Sequence, residues 1–183
     1  MTPSVTIRTS TIHFRKASAR ETAVLLAVAW LIPFAVHLAP WPGERPLGAY
    51  LLPMFWATFV AAYFYGVRTA VIVGLFAPVI NLLVTGLPAW KFLSVLSVEL
   101  VVFALVATWA VRRWPRVFLI APLGYVVAKM ASMAVQALTG IFGDIGAPLA
   151  FFTRSIGGAL AGLAVLAAIN GALVWFYPKT RSR

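Results

Sequence analysis

Long apolar runs, broken by short joins rich in Gly and Pro, set the pattern of this chain. Apolar residues do not alternate as in a strand, and they are not confined to one stripe as on a water-exposed helix. Six runs are long enough to matter, at 22–39, 47–65, 69–85, 90–111, 117–139 and 147–177. A helix that crosses a bilayer needs roughly 20 mostly apolar residues at 1.5 Å rise each. The joins carry the expected breakers: Pro40, Pro42 and Gly43, then Gly66, then Gly86 and Pro88, then Pro115, then Gly140 to Gly146. Pro33, Pro53, Pro78 and Pro122 fall inside runs and predict kinks. The sixth run exceeds what a membrane requires, so it is either tilted or begins with an interfacial turn. The pattern predicts an all-α integral membrane protein, a compact bundle of six transmembrane helices.

Composition agrees with this pattern. Of 183 residues, 62% are hydrophobic and 10% charged, against about 25% charged in a soluble domain. The 15 Lys and Arg outnumber the 4 Asp and Glu. In a soluble protein that excess would suggest nucleic acid, but here its placement decides. Arg8, Arg15, Lys16 and Arg20 precede the first run, and Arg68 sits between the second and third. Arg112, Arg113 and Arg116 follow the fourth, and Lys179, Arg181 and Arg183 follow the sixth. A six-span chain puts all of these on one side, with Arg45, Lys91, Glu44 and Asp144 on the other. Cytoplasmic loops collect basic residues, so both termini are expected in the cytoplasm. Residues 1–21 then form a basic arm on the inner membrane surface, attracted by anionic lipid, 22–177 one membrane domain, and 178–183 a basic tail. The first 20 residues lack the short apolar region and small-residue cleavage site of a signal peptide.

Two basic residues, Lys129 and Arg154, and one acid, Glu99, fall within the runs. Charges at membrane depth are costly and normally face a polar interior with partners. Glu99 lies about nine residues, roughly 13 Å, from the outer end of its helix. Asn81 and Gln136 fall in the outer thirds of the third and fifth runs. Lys129, Ser132 or Met133, and Gln136 share one face of a helix. These polar groups predict a pocket open to the outside for a small polar or anionic solute. Three charges cannot neutralise as one pair, so one cation is left for a carboxylate or phosphate. The alternative is that Glu99 pairs with Lys129 or Arg154 only to hold the bundle together. Trp41, Tyr50, Trp56, Trp90, Phe92, Phe151 and Phe152 lie towards the outer end and could stack on a planar ligand, although Trp and Tyr gather at membrane interfaces regardless. His37 reads as a wetted helix-end residue.

Ala19, Ala23 and Ala27 repeat every four residues at the start of the first helix, as do Gly157 with Ala161 and Gly158 with Gly162 in the sixth run. Such stripes let another helix approach closely. In the sixth run they suit packing inside the bundle; in the first, the partner could equally be another subunit. There is no Cys, His13 and His37 are too far apart to form a local metal motif, and no P-loop, H-E-x-x-H or G-x-S-x-G sequence occurs. No catalytic residues, metal or cofactor are therefore assigned, and the chain is not read as an enzyme.

The segment Gly66-Val67-Arg68-Thr69-Ala70-Val71-Ile72-Val73-Gly74-Leu75-Phe76-Ala77-Pro78 leads into Asn81-Leu82-Leu83-Val84-Thr85-Gly86-Leu87-Pro88, with Glu99 in the next run. This resembles the substrate-binding S component of energy-coupling factor (ECF) transporters, in which a G-x-x-x-G-x-x-x-P segment is often followed by a T-G-x-P loop and an acid in helix four. With the six runs and inside termini, the resemblance spans nearly the whole chain. It implies capture of a vitamin or similar micronutrient from outside, in a pocket among outer helix ends and loops. It further implies a transmembrane coupling subunit, two cytoplasmic ATPases that hydrolyse ATP, and a location in the cytoplasmic membrane of a prokaryote. Many family members carry an alanine-x-x-x-alanine stripe that contacts the coupling subunit; Ala23 and Ala27 match it, and Ala19 extends it. The family's proposed transport step is toppling of the S component in the membrane. The substrate-binding residues expected on this view are Asn81, Trp90, Glu99, Lys129, Gln136 and Arg154, and the two cations favour a ligand with an anionic group. Other readings are a six-span scaffold or assembly protein that transports nothing, and an oligomeric secondary carrier.

Overall fold

The structure is a computed structural model that describes residues 14–38, 47–86, 90–140 and 147–179. Trp41, Glu44, Arg45, Pro88 and Asp144 lie outside the described residues, as do residues 1–13 and 180–183 and the side chains of His37, Thr85 and Lys91. The described residues form eight helices: α1 (Ala19–Leu38), α2 (Leu47–Leu51), α3 (Pro53–Tyr65), α4 (Val67–Thr85), α5 (Trp90–Arg113), α6 (Ile120–Thr139), α7 (Pro148–Gly158) and α8 (Leu160–Phe176). The chain is a multi-pass membrane protein by the length and apolarity of these helices. Four of them, α1, α4, α5 and α6, are long and apolar enough to cross a bilayer, and α7 with α8 makes a fifth if the pair is one span bent by 60°.

The six-span expectation differs from this at the second run. There the helix breaks at Leu52, leaving five residues in α2 and 13 in α3. Thirteen residues reach only about 20 Å, short of a hydrocarbon core of about 30 Å. The break has a local cause. A residue before Pro is pushed out of the right-handed helical region, and Leu52 precedes Pro53. Leu52 takes a left-handed conformation, φ 57°, which is strained for a residue with a Cβ. Packing holds it there: a Cβ on Gly162 of α8 would fall 2.6 Å from Leu52 Cγ and from the Tyr50 carbonyl oxygen. Only glycine lets α8 lie this close to the joint, so Gly162 is an internal packing position. Gly157 and Ala161 are exposed instead.

The neighbouring helices wrap around α5, which packs against α3, α4 and α6; α1 lies on α3 and α4, and α8 closes against α6, α2 and α3. Aromatic rings fill the centre. Phe55 meets Phe103 and Tyr125 edge-on, at centroid distances of 5.1 and 4.9 Å. Such pairs add to area burial because the ring edge is positive and the face negative.

Polar side chains finish the helix ends. Ser18 and Glu21 form a reciprocal cap on α1: the Glu21 N–H donates to Ser18 Oγ at 3.2 Å, and the Ser18 N–H donates to Glu21 Oε2 at 2.8 Å. No side chain of its own caps α6, but Asn170 of α8 does so from a distance. Its Oδ1 accepts from the Ala121 N–H at 3.0 Å and its Nδ2 donates to the Val117 carbonyl at 3.3 Å. At the far end of α8, the Tyr63 hydroxyl lies 2.8 Å from the Tyr177 carbonyl oxygen and 3.2 Å from that of Leu173. These groups would otherwise be left over at helix termini.

Candidate functional site

The α5–α6 pair brings Glu99 and Lys129 together. Both residues sit inside apolar helices, so each charge needs a partner in place of water. Lys129 Nζ donates to Glu99 Oε1 at 2.8 Å and lies 2.8 Å from Oε2. Ser132 Oγ, one turn along α6, donates to Glu99 Oε1 at 2.9 Å. The side chains are 2% exposed for Glu99 and 11% for Lys129, so the pair is dry on the acid side and nearly so on the base side. Rings complete the enclosure. Lys129 Nζ lies 5.6 Å from the centroid of Tyr125, four residues earlier on α6, and 5.4 Å from that of Phe151 on α7. Both are within cation–π range.

The remaining expected site residues are more dispersed. Asn81 is buried in α4, five residues before the left-handed cap at Gly86. Gln136 is half-buried on α6, two turns beyond Lys129. Trp90 opens α5 and is 74% exposed. Arg154 is exposed on α7, three residues from Phe151, and among the described residues no carboxylate pairs with it. Ala19, Ala23 and Ala27 lie on the exposed side of α1, beside the equally exposed Val24, Val28 and Leu31. Of the nearby aromatics, Phe152 is half-buried, and Phe92 is exposed at the start of α5.

Sequence reasoning left out Tyr125 and did not assign Ser132 a role. The signal for both was spacing: positions four before and three after Lys129 share its helix face. The arrangement as a whole is a neutralised ion pair under an aromatic roof, with a free-standing cation on the helix that supplies the roof. Among the described residues no three His, Asp or Glu gather as metal ligands.

No family model matches the chain, and neither does any curated protein or solved structure.

Proposed function

We propose that this chain is a substrate-capture subunit of a membrane transporter, of the S-component type, with α2 and α3 together serving as one broken span among six. On this reading it lies in the cytoplasmic membrane of a prokaryote with both termini inside, and takes a micronutrient with an anionic group from outside. The supporting observation is the imbalance of charge around α6 and α7. Glu99 is used up by Lys129, and Arg154 stands one turn from the ring that covers Lys129, with no carboxylate paired to it among the described residues. An anionic ligand supplies what is missing. The exposed stripe Ala19, Ala23 and Ala27 is the surface this reading assigns to a coupling subunit, with two ATPases supplying the energy.

The test is ligand capture by the purified protein alone, read by mass spectrometry of small molecules that copurify with it. Arg154→Ala removes an exposed side chain, so the protein should stay folded and lose the ligand. Retention of the same ligand at the same occupancy by Arg154→Ala would remove Arg154 from the site. A second reading, a scaffold that binds no solute, draws on the completeness of the Glu99–Lys129 pair, which needs no ligand to be neutral. It predicts no copurifying molecule at all.

A further inference from the structure

We propose that the end of the bundle where Phe14, Arg112 and Lys179 meet binds the phosphate headgroup of an anionic phospholipid. Residues far apart in sequence converge there. Phe14, ahead of α1, lies under the Arg112 guanidinium, with Cζ 4.9 Å from the ring centroid, and under Lys179 Nζ at 4.8 Å. Lys179 also lies 5.3 Å from the Tyr63 ring. Gly66, at φ 81° between α3 and α4, lets the ring approach: a Cβ there would stand 3.1 Å from Phe14 Cγ. One aromatic ring thus gathers the end of α5, the segment after α8 and the α3–α4 turn.

Two cations on one ring repel each other, and the rings supply only partial compensation. Among the described residues no carboxylate pairs with Arg112 or Lys179. The chain has few acids to offer. Glu21 is taken by Arg15, Glu99 by Lys129, and Glu44 and Asp144 come after the opposite ends of α1 and α6 in the sequence. Burial pushes the Lys179 ammonium below the usual lysine range, as expected of a half-buried cation with no carboxylate beside it among the described residues. Among the described residues nothing supplies the counter-charge, which leaves the cluster open to an anion from outside the chain.

Position selects a lipid as its source. The cluster lies at the ends of the long apolar helices, where headgroups sit. Trp114 and Tyr177, both exposed, and half-buried Tyr65 stand at the same end, as aromatic residues do at a membrane interface. Basic pockets between transmembrane helices at this level suit anionic headgroups.

Native mass spectrometry of the full chain in neutral detergent tests this with three probes: dioleoyl phosphatidylglycerol, dioleoyl phosphatidylcholine and inorganic phosphate. Phosphatidylglycerol should be retained well above phosphatidylcholine. Each basic residue near a membrane surface is worth about a factor of five for anionic lipid, so Arg112→Gln with Lys179→Gln should weaken binding about twenty-fivefold. Arg116→Gln, away from the ring, should have a far smaller effect. Equal retention of the two lipids by the unaltered protein overturns the proposal whether or not the variants fold. So does a double variant that holds phosphatidylglycerol as tightly as the unaltered chain. Inorganic phosphate that displaces the lipid at equal concentration makes the free ion, not the lipid, the ligand, and also overturns it.

Discussion

Lys129 and Lys179 are held in much the same way by aromatic rings and in opposite ways by charge. Each ammonium lies about 5 Å from two ring centroids, Tyr125 and Phe151 for one, Phe14 and Tyr63 for the other. Lys129 adds a carboxylate at 2.8 Å, and among the described residues Lys179 has none. The difference follows from depth. Inside the bundle, ring faces alone cannot replace lost hydration, so a full counter-charge is built into the neighbouring helix. At the end of the bundle, Lys179 is half-buried and keeps access to water or a headgroup, which supplies what two rings leave uncompensated.

The largest effect should come from breaking the deep pair on one side. Lys129→Met leaves Glu99 ionised or protonated without its partner and should cost about 3–5 kcal/mol, measured by thermal or denaturant unfolding in detergent. Adding Glu99→Gln to that variant should recover a large part of the loss. A double variant no more stable than the single one would mean the pair is not coupled. Ser132→Ala removes one hydrogen bond to the buried carboxylate and should cost about 1.5–3 kcal/mol in the same assay. Lys179→Met should be mildest, about 0.5–1 kcal/mol, the scale of a cation–π contact at an exposed site. Its pH signature is more telling. Because burial lowers the pKa of Lys179 in the folded protein, the unfolded chain binds the extra proton. Stability should therefore rise with pH between the lowered folded value and the ordinary lysine value, about 10.4. Lys179→Met should abolish that rise, and a rise that survives the substitution would assign it to another group.

The helices were legible from apolar run length because the bilayer imposes one length on every spanning element. Runs at 69–85 and 90–111 correspond to α4 and α5 within two residues at each end. The interruptions were less legible. Pro53 signalled a kink, but the full break at Leu52 depends on the support Gly162 provides from more than a hundred residues away. The sixth run was too long for one span. Its excess is α7, turned 60° from α8 at Ala159. The polar residues divide the same way. Helical spacing placed Ser132 beside Lys129, whereas pairing Glu99 with Lys129 rather than Arg154 required knowing that α7 leaves Arg154 exposed. Phe14 gave no signal, since a single aromatic in a basic arm acquires meaning only from the helix ends it touches.

Asn170 adds a matter of timing. The hydrogen bonds that finish the start of α6 come from a side chain 49 residues downstream of Ala121 and 53 downstream of Val117. As the chain is made from its N-terminus, the α5–α6 hairpin enters the membrane before its last hydrogen-bonding partner exists. Until α8 arrives, that turn carries an open amide and an open carbonyl, and the bundle stays unsealed. Completion of the final helix is thus recorded near the middle of the chain, where a stalled or shortened product would differ from a finished one.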